Sequence, residues 1–137
     1  YNLYDVSGLI CPIMDARRSQ VYTGIYRFEE HKLVAVKQQW ASPVTELIEE
    51  LNKIGEPVTF LGDGVPVFRS MIEEKLQVPY SFAPAHVNKQ RAAAVGTLGM
   101  IYYKEGRTET AMEHVPEYLR VSQAERERAE REKAKQA

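Results

Sequence analysis

The hydrophobic pattern of this chain changes its period near residue 42. From Val21 to Phe28, positions alternate between two faces with the two-residue period of a β-strand. Beyond Ser42, apolar residues recur every three to four positions, as in an amphipathic helix. A chain that begins with strands and then alternates helices with strands is restricted to a mixed α/β fold.

The element order narrows the fold further. The pattern predicts strands at 9–14, 21–28, 33–40, 58–61 and 78–83, and helices at 43–54, 66–76 and 87–104. Ser42 is predicted to cap the first helix, and Val67 and Met71 to face inward on the second. The order β-β-β-α-β-α-β-α is that of a ribonuclease H-like (actin-like ATPase) lobe with a mixed five-stranded sheet and a C-terminal helix.

The two ends of the chain carry predictions of their own. Residues 1–8 have the pattern of the last turns of a helix that ends on Gly8, which predicts that the chain is a fragment. Ser122 and Glu125 form a capping box for a final helix. Residues 122–137 are almost wholly charged or polar, so they are predicted to form a polar helical tail.

Composition limits the partners. The 137 residues include 18 Lys and Arg against 19 Asp and Glu, a balance that gives no overall field to attract nucleic acid or anionic lipid. Cys11 is the only cysteine and lies in an apolar run, so a buried, inert thiol is predicted. No apolar run approaches the length of a membrane span, and a cytoplasmic protein is expected.

Acidic residues at strand ends leave one enzymatic alternative open, a metal-dependent nuclease or phosphotransferase of the same fold. Asp15 ends the first predicted strand, Asp63 follows the fourth, and the first helix adds Glu46, Glu49 and Glu50. Two divalent cations about 4 Å apart need such a carboxylate cluster. The competing interpretation is that the two aspartates stabilise turns and the glutamates face water.

The turn Gly62-Asp63-Gly64 carries a second alternative, a phosphate or nucleotide site. Glycines let the backbone approach a ligand closely, and a helix N-terminus favours an anion. A simple strand-to-helix turn explains the same residues. His31, His86 and His114 lie on different elements without ligand spacing, so no metal site is predicted.

The first hairpin resembles that of a known family. The run from Met14 to Tyr22, M-D-A-R-R-S-Q-V-Y, is similar to the hairpin motif of the TsaB (YeaZ) family: an apolar residue, D-A-R, two variable residues, an acid or amide, and V-Y. Three landmarks follow in the family's order, namely the strand and glycine turn at 58–64, Pro84-Ala85 before an alanine-rich helix, and Glu117 to Arg120, E-Y-L-R. The likeness covers residues 1 to 121.

The resemblance implies a role as well as a fold. It implies that residues 1–121 are the second, C-terminal lobe of a two-lobed, glycoprotease-like protein that has no catalytic residues and no cofactor of its own. Such a protein is a scaffold for a TsaD-like catalytic subunit and a TsaE-like ATPase in tRNA threonylcarbamoyladenosine synthesis. A homodimer is a further expected state, and tRNA is expected to be contacted only through the complex. Asp15, Arg17, Arg18 and Tyr22 are the candidate contact residues, because they carry the family motif.

Overall fold

The computed structural model describes residues 1–119. The strands and helices follow the predicted order, and most of their boundaries differ from the predicted ones by a few residues. The elements are β1 (Leu9–Asp15), β2 (Gln20–Glu29), β3 (Lys32–Pro43), α1 (Val44–Ile54), β4 (Val58–Leu61), α2 (Val65–Lys75), β5 (Tyr80–Phe82) and α3 (Ala92–Lys104).

The five strands form one mixed sheet in the order β3-β2-β1-β4-β5. The first three strands are antiparallel neighbours, whereas β4 is parallel to both β1 and β5. This order and these directions confirm the predicted ribonuclease H-like lobe. The strand β1 lies at the centre of the sheet, between β2 and β4, and its nearly continuous apolar run is typical of a buried strand.

One face of the sheet, which we call the closed face, carries the hydrophobic core. Leu9, Cys11 and Ile13 of β1 point to this side, and each is fully buried. The apolar stripe of α1 and the inner residues of α2 pack against them and complete the hydrophobic core. The alternation from Val21 to Ile25 is confirmed, since Val21, Thr23 and Ile25 are all buried.

The opposite face, which we call the open face, is covered more thinly. It carries the alternate residues of β1, among which Met14 is 43% exposed. The helix α3 and the first residues of the chain lie over this side. No residue of α3 is buried, and its side toward the sheet, with Ala94, Leu98 and Ile101, is only half-buried.

Two predictions near the N-terminus and at α1 are wrong. Residues 1–8 form a turn, with an N–H of Val6 donating to the Leu3 carbonyl, because Asp5 takes a left-handed φ of 59° that interrupts a helix. Ser42 is not the helix cap, since it still pairs with Val21 in the sheet. The first N–H of α1, on Val44, is satisfied by the carbonyl of Ser19 across the sheet.

Two further predictions are wrong, one about which side of α2 faces the core and one about where α3 begins. Val67 faces water, 57% exposed, while Val65, Phe68 and Ile72 face the core. The helix starts one residue earlier than predicted, and Gly64, which precedes it, packs against Ile13 of β1. The last described helix begins at Ala92 rather than at residue 87. The predicted tail at 122–137 lies outside the described residues.

Candidate interaction surface beside the parallel strands

The motif Asp15 to Arg18 forms the tip of the β1–β2 hairpin. Asp15 accepts a hydrogen bond from the N–H of Arg17 at 2.8 Å, so its carboxylate stabilises the turn. Arg17, Arg18 and Ser19 all adopt left-handed φ angles, at 65°, 53° and 57°. Side chains rarely occupy this region three times in succession, and the conformation holds both arginines at the exposed surface.

Tyr22 does not join that tip. It lies opposite Met14 on β1 and Ala41 on β3, and its side chain is half-buried on the open face. The structure therefore places Asp15, Arg17 and Arg18 together at one end of the sheet. Tyr22, the remaining contact candidate, lies with Met14 on the adjoining open face.

The glycine turn Gly62-Asp63-Gly64 packs directly against the end of β1. The N–H of Gly64 donates to the carbonyl oxygen of Ile13 at 3.0 Å. Gly62 has a φ of 111°, and a Cβ there would overlap the same Ile13 carbonyl. These glycines are explained by the close approach of two backbones at the carboxyl ends of β1 and β4.

Asn88, which the sequence interpretation missed, holds this turn from the other side. Its side-chain amide and carbonyl groups bond the backbone of Gly62 at 3.2 Å and 3.0 Å, and its backbone oxygen accepts from Gly62 at 2.8 Å. The amides of Gly62 and Gly64 thus already have internal partners, and phosphate binding through them would require those bonds to break. The sequence signal that could have pointed to Asn88 is an Asn that lies between a strand and an alanine-rich helix.

A groove of about 260 Å³ runs beside the turn, between the open face and α3. Its apolar floor and wall come from β1, β4 and α3, while Lys89 and Arg91 line it near the glycine turn. Crevices beside the carboxyl ends of parallel strands are common binding places in α/β proteins. The apolar lining residues are Pro12, Met14, Leu61, Ala94, Val95 and Leu98.

The carboxylates proposed for a metal site are dispersed. Asp63, Glu46 and Glu49 are exposed, and Glu50 pairs with Lys37 at 3.2 Å. Within residues 1–119, no three side chains of His, Cys, Asp or Glu are grouped closely enough to hold a metal ion. The nuclease alternative therefore gains no geometric support from this part of the chain.

Cys11 lies in the core and is fully buried. The Thr23 hydroxyl donates to the Pro12 carbonyl at 2.8 Å, and its oxygen lies 3.4 Å from the Cys11 sulfur, within hydrogen-bonding distance. Burial raises the pKa of Cys11 from 9.0 to about 12, and the Thr23 hydrogen bond only partly opposes this. A thiol with such a pKa is protonated at neutral pH and is a poor nucleophile.

The aromatic side chains of β2 pack internally. Phe28 contacts the rings of Tyr1 and Tyr4, with centroids 5.8 Å and 5.2 Å away. Burial, with a smaller contribution from Tyr102, raises the pKa of Tyr26, which lies against Gly24. Tyr22, Tyr26 and Phe28 are each half-buried on the open face, outside the hydrophobic core.

Comparison with known proteins shows what this chain is similar to. No family model matches the chain. The tRNA threonylcarbamoyladenosine biosynthesis protein TsaB of Bacillus subtilis is 35% identical over 118 residues, which make up 86% of this chain and 50% of TsaB. The chain is TsaB-like. It spans about half the length of that curated relative.

Solved structures give the same fold. A Pseudomonas aeruginosa protein described as similar to peptidase YeaZ aligns with a TM-score of 0.60 and 18% identity, over 82% of this TsaB-like chain and 49% of that protein. YeaZ from Pseudomonas aeruginosa aligns with a TM-score of 0.58 and 17% identity, over 80% and 49% of the two chains. In residues 1–119 no helix is long and apolar enough to cross a membrane.

Proposed function

We propose that residues 1–121 form the second lobe of a TsaB protein that acts in tRNA threonylcarbamoyladenosine synthesis. The observation that carries this proposal is the 35% identity to Bacillus subtilis TsaB across 86% of the chain. The predicted family landmarks at Asp15, Gly62 and Pro84 fall on the hairpin tip, the glycine turn and the segment before α3. Two residues of these landmarks, Met14 and Gly62, also line the groove.

The proposed role is that of a non-catalytic scaffold. Asp15 is engaged in a turn, Cys11 is buried with a raised pKa, and the amides of the glycine turn bond within the chain. His31 and His114 sit on the exposed surface beside carboxylates, each 2.9 Å from its partner. Each of these candidates for chemistry has a structural explanation, which favours a partner subunit over an enzyme.

The proposed partners are a TsaD-like catalytic subunit and a TsaE-like ATPase, in the cytoplasm, with tRNA reached only through the complex. The exposed tip with Arg17 and Arg18 and the adjoining groove are the proposed contact surfaces of this lobe. Guanidinium groups suit such a contact because they bind carboxylates or phosphates through two parallel hydrogen bonds.

A chimera tests this function directly. The matching half of Bacillus subtilis TsaB is replaced by residues 1–137, in cells whose own TsaB is depleted, and threonylcarbamoyladenosine in tRNA is measured by mass spectrometry. We expect the chimera to restore most of the modification. Reversing both charges at the tip, R17E with R18E, should lower the modification roughly tenfold if the tip binds a partner.

The matched control reverses two exposed lysines at the ends of α1 and α2, K53E with K75E. This control removes the same positive charge away from the tip and should leave the modification unchanged. A folded, expressed chimera that restores no modification would refute the proposed lobe, whereas equal loss in both double variants would refute only the role of the tip.

A further inference from the structure

Charge is distributed unevenly along the groove beside α3. Lys89 and Arg91 line it near the glycine turn, and no Asp or Glu among residues 1–119 lines it. Asp63 is next to Gly62 in the sequence, yet it is exposed and is not one of the lining residues. The groove is therefore an apolar channel with an excess of positive charge.

The two cations are not neutralised by the part of the chain that the structure describes. Lys89 and Arg91 are both exposed, and none of the ion pairs that form within residues 1–119 includes either side chain. Hydrogen bonds between a cation and an anion are roughly twice as strong as those between neutral groups. Apolar walls strengthen them further, because they exclude water that would screen the charges. Charge complementarity therefore favours an anionic ligand.

Hydrogen bonds hold the segment that carries these cations in place. The Asn2 side-chain amide donates to the carbonyl oxygens of Val87 and Lys89 at 2.9 Å and 2.6 Å. Between those two residues, the side chain of Asn88 bonds the backbone of Gly62. The cationic part of the groove is thus already formed before a ligand arrives, which reduces the entropy lost on binding.

The rest of the groove suits an apolar body. All the side chains that β1, β4 and α3 contribute to its lining are apolar. The N–H of Gly62 already donates to Asn88. A sugar ring or a nucleobase would lose hydrogen bonds to water there without replacing them. An alkyl chain or a simple aromatic ring would lose none, and the flexible side chain of Met14 can adapt to either.

We propose that the groove binds a small amphipathic anion, which is a carboxylate or a phosphate monoester on an alkyl or aromatic body. The head group pairs with Lys89 and Arg91, and the body lies along Met14 and Leu98. The volume of about 260 Å³ is just below the roughly 300 Å³ at which pockets for drug-sized ligands begin, so a body of about eight carbons fits. This inference goes beyond the proposed contact with a partner subunit, because the ligand binds to this chain alone.

NMR of the 137-residue chain with isotope-labelled methionine methyl groups localises the binding. Met14 lines the groove, Met71 packs against the core, and Met100 and Met112 are 56% and 94% exposed without lining the groove. Octanoate and octyl phosphate, below their micelle-forming concentrations, should shift the Met14 signal with dissociation constants on the order of 100 µM. Octanol should bind at least tenfold more weakly, because it has no charge. Shifts that are largest at Met100 and Met112 would indicate non-specific apolar binding and would overturn the proposal.

A double substitution tests the head-group contacts. K89Q with R91Q should weaken the binding of both anions at least tenfold and leave the binding of octanol unchanged, because only the anions use the two cations. The unchanged octanol binding also shows that the variant remains folded. The matched control, K53Q with K75Q, removes the same charge at the ends of α1 and α2 and should alter neither result. Equal weakening in the two double variants would mean general charge attraction and would contradict a site in the groove.

A pair of phenylalanine substitutions tests the apolar contacts. Ala94 lines the groove, so A94F should fill it and prevent the binding of octanoate, octyl phosphate and octanol. Thr97 is exposed and does not line the groove, so T97F should leave all three affinities unchanged. The methyl signal of Met71 should keep its position in both variants if the core is intact.

Two competing classes of ligand are included in the same titrations. They are adenosine monophosphate, which carries a phosphate on a polar body, and a tripeptide of two leucines and one glutamate. Both should bind more weakly than octyl phosphate. Tighter binding of either one would overturn the proposal, and so would a Met14 signal that neither octanoate nor octyl phosphate shifts.

Discussion

The two faces of the sheet differ in how completely this chain covers them. On the closed face, α1 and α2 bury residues such as Leu47 and Ile72 to zero exposure. On the open face, α3 leaves a groove and buries none of its own residues. The closed face therefore supplies the hydrophobic stabilisation that lets the lobe fold, while the open face retains apolar surface for association.

The candidate contact surfaces lie on the open side of the sheet or at its border. The hairpin tip, the glycine turn, the groove and α3 all adjoin the open face or the strand ends that border it. The exposed side of α1 and α2 carries mainly scattered charges such as Glu46 and Glu73. Substitutions on the closed face should change stability first, and substitutions on the open face should change association first.

A matched pair of leucines gives the largest test of this difference. Leu47 of α1 is fully buried on the closed face, and Leu98 of α3 is half-buried on the open face. We expect Leu47→Ala to reduce the free energy of unfolding by about 2–5 kcal/mol, through lost burial and a residual cavity. Leu98→Ala should cost less than about 1 kcal/mol in the monomer. Urea denaturation of each variant measures both costs, and equal costs would abolish the distinction between the faces.

A pair of glycines tests the border between the faces. Gly62→Ala must place a Cβ against the Ile13 carbonyl at a φ of 111°, so we expect a loss of about 3 kcal/mol. Gly55 ends α1 at a φ of 77°, and a Cβ added there would meet no atom within 4 Å, so its change to Ala should cost only about 1 kcal/mol. The difference between the two denaturation midpoints isolates the contact with β1. Similar losses would show that conformation alone explains the glycines.

The pH dependence of stability gives the smallest test and probes the closed face. Because burial raises the pKa of Cys11 from 9.0 to about 12, the folded thiol stays protonated where the unfolded thiol ionises. Its contribution is complete below pH 9 and is lost as the pH rises toward 12. Between about pH 9 and 10, the wild-type chain should lose about 1 kcal/mol more than Cys11→Ala.

The two chains are compared by how steeply their free energy of unfolding changes with pH, so the pH-independent cost of the cavity in Cys11→Ala does not enter the comparison. Tyr26, whose pKa is also raised, remains in both chains, and only the small part of its shift that comes from Cys11 differs between them. Parallel pH profiles for the two chains would mean that the thiol is already in contact with water, and the closed face would then be less closed than the structure shows.

Local sequence pattern was sufficient for the element order, because the β period of Val21 to Ile25 and the helical stripe of α1 are strong signals. It was insufficient where tertiary contacts decide. The hydrogen bonds between Asn88 and Gly62 join residues 26 positions apart, which no local pattern records. The error in α2 has a different cause: Val65, Phe68 and Ile72 do form a helical stripe, but it begins one residue before the predicted start of the helix, so Val67 was assigned to the wrong side.

The candidate site shows the same limit. The family motif located Asp15, Arg17 and Arg18, and the structure places them at one tip. The groove could not be predicted, because its residues come from β1, β4 and α3 and are brought together only by the sheet order. Tyr22 carries the motif but lies away from the tip, since alternate residues of a strand point to opposite faces.

The position of β1 also bears on the order in which the chain assembles. One neighbour, β2, follows after four residues, whereas the other neighbour, β4, arrives only after β3 and α1. Closing a short loop costs less chain entropy than closing a long one, so the hairpins of residues 9–43 are favoured to form first. Until β4 docks, one edge of β1 has unpaired backbone groups, and that interval is when the nascent sheet is most open to strands from other molecules.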